Sequence, residues 1–456
     1  MNGVKIPLGR RRHAILGLFV GAVPAAFALA ANPAGANTAV RHATASHQTQ
    51  ETPSTAVQLF ASQVETLGAD HYANSFAGAV LTPTGIIKVY ALPASDGALI
   101  RAINTINRSR YPVEVLAARR SYNQLNALIV KLIAANNAIK THGVTLSQAA
   151  PDPASGAIMV SVVQPTASEI AKLSADPRVR ARLGAAITAS NYRAAVSALL
   201  QSELGQGFTV ESRYLPTANI PDAKTPRQQL TPDSRTNDTA PFFGGDSIAA
   251  FPTGLRCTGA FFVTGNVSGN AYLLTAGHCS QNDPDDFDIY PTGTAVGPVS
   301  TNYWVQGTTN DFLTIRVPGG GLPYVWYGSN TIHSVAAELL PAVGAEITFD
   351  GTVTGEVPHN TVTAINATDL NVRDSTSGRV YNISPVVQAT PPSATVSCQL
   401  GDSGGPAYQR TPNSAKVDAV GTIAAFFGAP GITLSCSAQQ IGYEENTTHT
   451  TLMTTG

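Results

Sequence analysis

Ser403 lies in Gly401-Asp402-Ser403-Gly404-Gly405-Pro406, and His278 lies 125 residues upstream in Leu274-Thr275-Ala276-Gly277-His278-Cys279. A serine hydroxyl is inert at neutral pH until a base within hydrogen-bond reach takes its proton. Imidazole, with an unperturbed pKa of about 6.5, suits that task. Glycines around the serine accept unusual φ values and let a substrate approach closely. The N–H groups of Gly401 and Ser403 are then the expected donors to an oxyanion, and losing one such donor typically costs about 3–4 kcal/mol of transition-state stabilisation. This is the chemistry of acyl transfer at a carbonyl. A lone Gly-x-Ser-x-Gly would be a weak signal, but the two six-residue strings together are specific. The other eight of the nine histidines read as surface or core residues.

The elements that must hold these groups are strands. From Phe242 onward the sequence breaks into short β-runs separated by Gly-rich turns, at 259–263, 271–275, 312–317, 346–349, 420–427 and 441–443. Many short strands without a helical pattern predict an all-β sandwich or barrel. His278 follows one of these runs. Asp311 opens another, Asn310-Asp311-Phe312-Leu313-Thr314-Ile315-Arg316-Val317, and a carboxylate is needed to orient the imidazole and stabilise its cation. Asp283, Asp285, Asp286 and Asp288 are rival carboxylates in the same half of the chain. They lack the glycine and terminal glutamate of a calcium loop and read as a solvated acidic loop.

The first half differs. Residues 1–36 carry Lys5, Arg10, Arg11 and Arg12 ahead of an apolar run from Ala14 to Ala31, which reads as a secretory signal peptide. Residues 37–55 are rich in Ala, Thr, Gln and Ser and read as disordered. From 56 to 215 the pattern is mixed α/β. Strands are expected at 75–81 and 86–92 around Thr82-Pro83-Thr84-Gly85, and a further one at 157–163. Helices are expected at 122–139, 168–173 and 180–200. Residues 216–241 hold five prolines among polar residues and predict an exposed linker open to proteolysis.

At 456 residues the chain is long enough for two or three units, and 43% hydrophobic against 12% charged residues fits globular domains. The net charge of −1 conceals an asymmetry: residues 1–235 hold 22 Lys and Arg against 12 Asp and Glu, and residues 236–456 hold 6 against 17. Electrostatic complementarity between two docking parts of one chain is one reading of this split. All four cysteines, Cys257, Cys279, Cys398 and Cys436, lie in the second half, and an even count in an exported chain reads as disulfides. Four cysteines allow three pairings. Without a Cys-x-x-Cys spacing, a zinc site is disfavoured, and no other metal-ligand spacing or phosphate loop is visible.

The two motifs resemble the chymotrypsin-like (trypsin-fold) serine endopeptidases, in the bacterial secreted branch typified by α-lytic protease and the streptogrisins. The resemblance implies a catalytic domain at 236–456 built as two six-stranded antiparallel β-barrels, preceded by an α+β pro-region at 37–235. It implies the triad His278, Asp311 and Ser403, an oxyanion hole from Gly401 and Ser403, and the bridges Cys257–Cys279 and Cys398–Cys436. Loops of this size contribute roughly 3–4 kcal/mol each in the chain-entropy model. Trypsin-like zymogens pair a freed N-terminus with the aspartate before the serine. The spacing from Phe242-Phe243-Gly244-Gly245 to Cys257 instead implies a structural role for Asp402. The primary pocket falls on Val396, Ser397, Ala424, Ala425 and Phe426, an apolar set. The implied protein is a secreted, extracellular monomer that hydrolyses protein or peptide substrates, without cofactor, metal, nucleic acid or membrane partner after signal cleavage. Its own pro-region would act as folding aid and inhibitor. A catalytically inactive binding module of the same fold is the alternative.

Overall fold

Phe60, Ala61 and Val64 fall on one buried face of α1 (Thr55–His71), the first element of the described residues. The computed structural model describes residues 53–455 except 94–95, 217–218, 221–233, 281–284, 328–330, 375–377, 393–395 and 430–431. The expected signal segment, most of the expected disordered stretch and Asp283 lie outside the described residues.

The α1 face packs on β1 (Phe76–Leu81) and β2 (Ile87–Ala91) through Phe76, Leu81, Ile87 and Val89. These strands form the hairpin expected around Thr82-Pro83-Thr84-Gly85, with Leu81 opposite Ile87. After α2 (Asp96–Ile106), β3 (Val113–Ala117) completes a three-stranded sheet. Helix α3 (Tyr122–Thr141) is started by a capping box between Ser121 and Gln124 and buries Leu125, Ile129, Leu132 and Ile139. It lies against β4 (Leu146–Asp152) and β5 (Ala157–Val162). The expected helix over 180–200 is two: α4 (Ala167–Ala175) precedes α5 (Pro177–Leu183), which stops at left-handed Gly184, and α6 (Tyr192–Leu204) follows. The first half ends with β6 (Phe208–Tyr214) and the two-residue β7 (Asn219–Ile220).

The second half is β-rich. Its first strands are β8 (Phe242–Gly244), β9 (Ser247–Phe251), β10 (Leu255–Thr258), β11 (Phe262–Gly265) and β12 (Ala271–Thr275). Then come β13 (Asp286–Ile289), β14 (Thr294–Asn302), β15 (Leu313–Arg316), β16 (Gly321–Tyr327), β17 (Thr331–Glu338) and β18 (Glu346–Gly351). The chain finishes with β19 (Gly355–Asp374), β20 (Val380–Thr390), β21 (Pro406–Arg410), β22 (Lys416–Ala429), β23 (Ile432–Gln440), α7 (Ile441–Thr448) and β24 (Thr450–Leu452). The expected strand at 441–443 is thus the first turn of a helix, which turns Ile441 and Glu444 inward.

Eight strands form one sheet in the order β10-β9-β13-β14-β15-β12-β11-β24, filled by Ile248, Phe262, Leu273, Phe287, Leu313 and Ile315. A thirteen-stranded sheet takes β8 and β16 to β23 from this half, together with β4 to β7. The all-β class of the second half and the helix-containing first half hold, and the division into two six-stranded barrels stays an expectation. Where the halves meet, β4 runs antiparallel to β19, with Thr368 opposite Ala149 and Asp369 opposite Gln148. From α1, Gln58 accepts the Glu346 N–H at 2.8 Å, Ser62 the Ala342 N–H at 3.1 Å and Thr66 the Leu340 N–H at 3.0 Å. Asn136 donates to Asn371 at 3.4 Å and to Asn382 at 3.2 Å. These bonds are neutral, so they do not draw on the charge asymmetry.

Asn237, Thr239, Ala240 and Pro241 at the end of the expected linker are exposed, but two residues just ahead of them are not. A 3₁₀ turn, Ser234–Thr236, buries Arg235 and Thr236 among second-half residues.

Candidate active site

The turn Gly277–Cys279 follows β12 and places His278 beside Asp311, just ahead of β15, which pairs with β12. His278 Nδ1 lies 2.9 Å from both Asp311 carboxylate oxygens, and the His278 main-chain N–H donates to Oδ1 at 3.0 Å. Asp311 is fully buried, and its own N–H donates to Gln439 Oε1 at 2.6 Å. An Nδ1–H directed at a carboxylate leaves Nε2 as the acceptor, the tautomer a general base requires. Nε2 has no partner among the described residues.

Trp304 packs edge-on to His278, ring centroids 6.2 Å apart, and stacks on Tyr381 at 3.6 Å. A Cβ on Gly277 would lie 2.6 Å from that of Trp304, so the residue before the histidine must be glycine. Asn302 fixes the turn by donating to the carbonyls of Gly277 and Ser280, each at 3.0 Å. Neither Asn302 nor Trp304 has a motif around it that sequence reading could use.

The serine loop meets this turn through main-chain contacts. The Ser403 carbonyl accepts the Thr258 N–H at 2.9 Å and lies 3.9 Å from Sγ of Cys279, the neighbour of His278. Gly404 has φ +81°, and a Cβ there would sit 2.0 Å from Thr275 Oγ1. Gly401 also has positive φ, +92°, and its carbonyl accepts from the Thr258 hydroxyl at 2.9 Å. Among the described residues neither the Gly401 nor the Ser403 N–H donates to a main-chain carbonyl. Asp402 is fully buried. Its Oδ1 accepts from Val353 N–H at 2.8 Å and Thr354 N–H at 3.1 Å, and its Oδ2 from Gln399 N–H at 2.8 Å and the Thr354 hydroxyl. Burial pushes its carboxyl above the usual range, and these donors oppose that shift. Asp402 thus anchors the loop to the turn after β18.

Of the pocket candidates, Ser397, Ala424 and Ala425 are buried, and Val396 and Phe426 are half-buried. The Ser397 hydroxyl donates to the Asn360 side chain. Phe427, beside Phe426, is core. Behind this segment Ser437 donates to the Ala425 carbonyl at 3.2 Å and to the Asp369 carboxyl, whose pKa burial raises to about 7. The main chain of β7 lies along the same segment, with Asn219 antiparallel to Phe426 and parallel to Arg373. A second buried acid, Glu444 on α7, accepts from Thr422 Oγ1 at 2.9 Å, and burial raises its pKa well above the carboxylate range.

Both bridges form as the resemblance implies, Cys257–Cys279 and Cys398–Cys436, one beside each motif. The acidic stretch after His278 is not a solvated loop throughout. Asp285 is buried and accepts from Ser280 Oγ at 2.7 Å, and Asp286 and Asp288 belong to β13. Among the described residues no group of His, Cys, Asp and Glu could hold a metal ion, and no helix is long and apolar enough to cross a membrane.

No family model matches the sequence, and no curated protein does. Solved structures are similar to about half of it. Protease A of Thermobifida fusca is 20% identical over 47% of this chain and 98% of its own, with a TM-score of 0.35. The Nocardiopsis protease is 22% identical over 47% and 99%, with a TM-score of 0.37. A glutamic acid-specific serine protease is 27% identical over 46% and 99%, with a TM-score of 0.36.

Proposed function

We propose that the chain is a secreted serine endopeptidase, made as a precursor, in which Ser403 is the nucleophile, His278 the general base and Asp311 the residue that orients it. The observation that carries this reading is the buried His278–Asp311 pair, with Nδ1 at 2.9 Å from the carboxylate, next to a disulfide-linked turn against which the Ser403 loop is packed. Ser403 Oγ attacks the scissile carbonyl carbon as its proton passes to His278 Nε2. The oxygen gains the negative charge and is met by the Gly401 and Ser403 N–H groups. Collapse of that intermediate sends the proton from Nε2 to the leaving amine and leaves an acyl-serine. Water, deprotonated by the same nitrogen, then releases the acid.

Residues 37–235 act in this reading as a pro-region that assists folding and then blocks the cleft. The supporting observations are the continuous sheet from β4 to β19 and the β7 main chain laid along Phe426. Val396, Ala424, Ala425 and Phe426 favour apolar side chains before the scissile bond, a soft preference because one methylene is worth only about 1–3 kcal/mol. The test compares secreted wild type with Ser403→Ala on a denatured protein substrate. Hydrolysis by the first alone, from a species near half the precursor mass, is expected. Equal rates for the two would refute the assignment.

A further inference from the structure

We infer that Arg235 is a positioning residue for the Ser403 loop and is kept in the mature enzyme, which moves the end of the pro-region proposed above from residue 235 to a point ahead of Arg235. This rests on the serine-protease reading above. Its side chain is 3% exposed, and that of Asp350 is fully buried. The guanidinium donates from Nη1 to Asp350 Oδ1 at 3.0 Å and to the Gly351 carbonyl at 3.2 Å. It donates from Nη2 to Asp350 Oδ2 at 2.9 Å and to the Trp326 carbonyl at 3.1 Å. A planar fork matched to a carboxylate gives directional bonds as well as charge, which a lysine would not reproduce.

Asp350 and Gly351 end β18, and the residues that follow them hold the serine loop. The Asp350 carbonyl lies under Gly405, where a Cβ would come within 2.5 Å. A Cβ on Gly351 would lie 2.1 Å from the carboxyl carbon of Asp402. Val353 and Thr354 donate their N–H groups to Asp402 Oδ1 at 2.8 and 3.1 Å. A short path therefore runs from Arg235 through the end of β18 to Asp402, and from Asp402 to the N–H groups on either side of it. Trp326 braces the near end: its indole N–H donates to Asp246 at 2.8 Å, and Phe243 packs edge-on against its ring.

The arrangement replaces an inserted N-terminus with a side chain of the leading segment. Arg235 pairs not with the acid before the nucleophile but with the acid supporting that acid's donors. A buried carboxylate stripped of its guanidinium must take up a proton or move, and either change loosens the end of β18. The ground-state fit of substrate depends on β22 and the pocket, so the loss falls on the transition state.

The experiment expresses the full-length precursor as wild type, Arg235→Ala, Arg235→Lys and the charge-neutral double variant Arg235→Met with Asp350→Asn. Each secreted product is sequenced from its N-terminus and assayed for kcat and KM on a peptide ester. Wild type should begin at or before Arg235. Arg235→Ala should lose about a hundredfold in kcat with KM within threefold, recover at least tenfold with millimolar guanidinium ion, and be only partly restored by lysine. The double variant guards against loss of folding, since it leaves no buried charge unpaired. It should be secreted normally yet keep a kcat at least tenfold low. A fully active enzyme that begins after Arg235, or an Arg235→Ala or double variant with wild-type kcat, would overturn the proposal. An inactive wild type is a separate outcome: it would refute the protease reading and this proposal with it.

Discussion

The histidine turn and the serine loop are held by different forces. On the histidine side, His278 and Asp311 hang from β12 and β15, whose support is mainly apolar: Leu273, Leu313 and Ile315 are wholly buried in one cluster with Phe262 and Phe287, and Asn302 and Gln439 add neutral hydrogen bonds. On the serine side the support is polar. Asp402 and Asp350 are buried, Asp402 accepting hydrogen bonds from Thr354, Val353 and Gln399 and Asp350 accepting them from buried Arg235. Apolar packing is non-directional, whereas buried charges act through directional bonds and fail when one partner is lost. The loop proposed to place two N–H donors is the one held by charged, directional bonds.

Substitutions that unload each side sharpen the contrast. Asp402→Ala should cost about a hundred- to a thousandfold in kcat, the loss typical of a displaced oxyanion donor, measured on matured enzyme by single-turnover acylation. Leu313→Ala should cost about 2–5 kcal/mol of stability while kcat per folded molecule stays within a few-fold, as checked by denaturant titration alongside active-site titration. The reverse pattern, with Leu313→Ala destroying kcat in folded protein and Asp402→Ala sparing it, would break the comparison.

A smaller effect is expected from pH. Asp369 in β19, opposite β4, and Glu65 in α1 have folded pKa values raised by burial to about 7 and about 8. Their carboxyls titrate near 4 in an unfolded chain. A group raised on folding contributes its stability fully below the unfolded pKa and loses it as pH rises through the folded one. The Ser403→Ala precursor should therefore melt on the order of several degrees lower at pH 8 than at pH 5, with Asp369→Asn reducing that slope. A flat or rising melting temperature over this range would contradict the burial. The smallest change expected is that of Asn136→Ala, which removes neutral bonds to Asn371 and Asn382 and should lower the precursor's stability by about 1 kcal/mol with no effect on kcat of the matured enzyme.

The histidine side was the more legible in sequence for the same physical reason. Apolar runs at 271–275 and 312–317 announce strands by composition, and the residues at their ends, His278 and Asp311, inherit a position. The serine loop announced the proposed nucleophile, its glycines and a structural Asp402, but not the residues that hold that aspartate. Thr354, Asp350 and Arg235 stand 49, 53 and 168 residues from Ser403, in segments without a pattern that ties them to it. Periodicity also misread 441–443, because Ile441 and Tyr443 alternate as a strand would while Glu444 continues the inward face of α7. Gly184 was visible, but a glycine inside a helical pattern does not say whether the helix ends there. Trp304 could be counted as one of two tryptophans, and its place between His278, which it meets edge-on, and Tyr381, on which it stacks, depends on the β19–β20 hairpin, which brings distant residues together.

The most direct test of the account is to treat the secreted, disulfide-intact mature protein with a fluorophosphonate probe and map the label by mass spectrometry, beside His278→Ala. The expected result is one label per chain on Ser403 in the wild type and almost none in the variant. A folded mature wild type that takes no label on Ser403, or takes it equally without His278, would contradict the account.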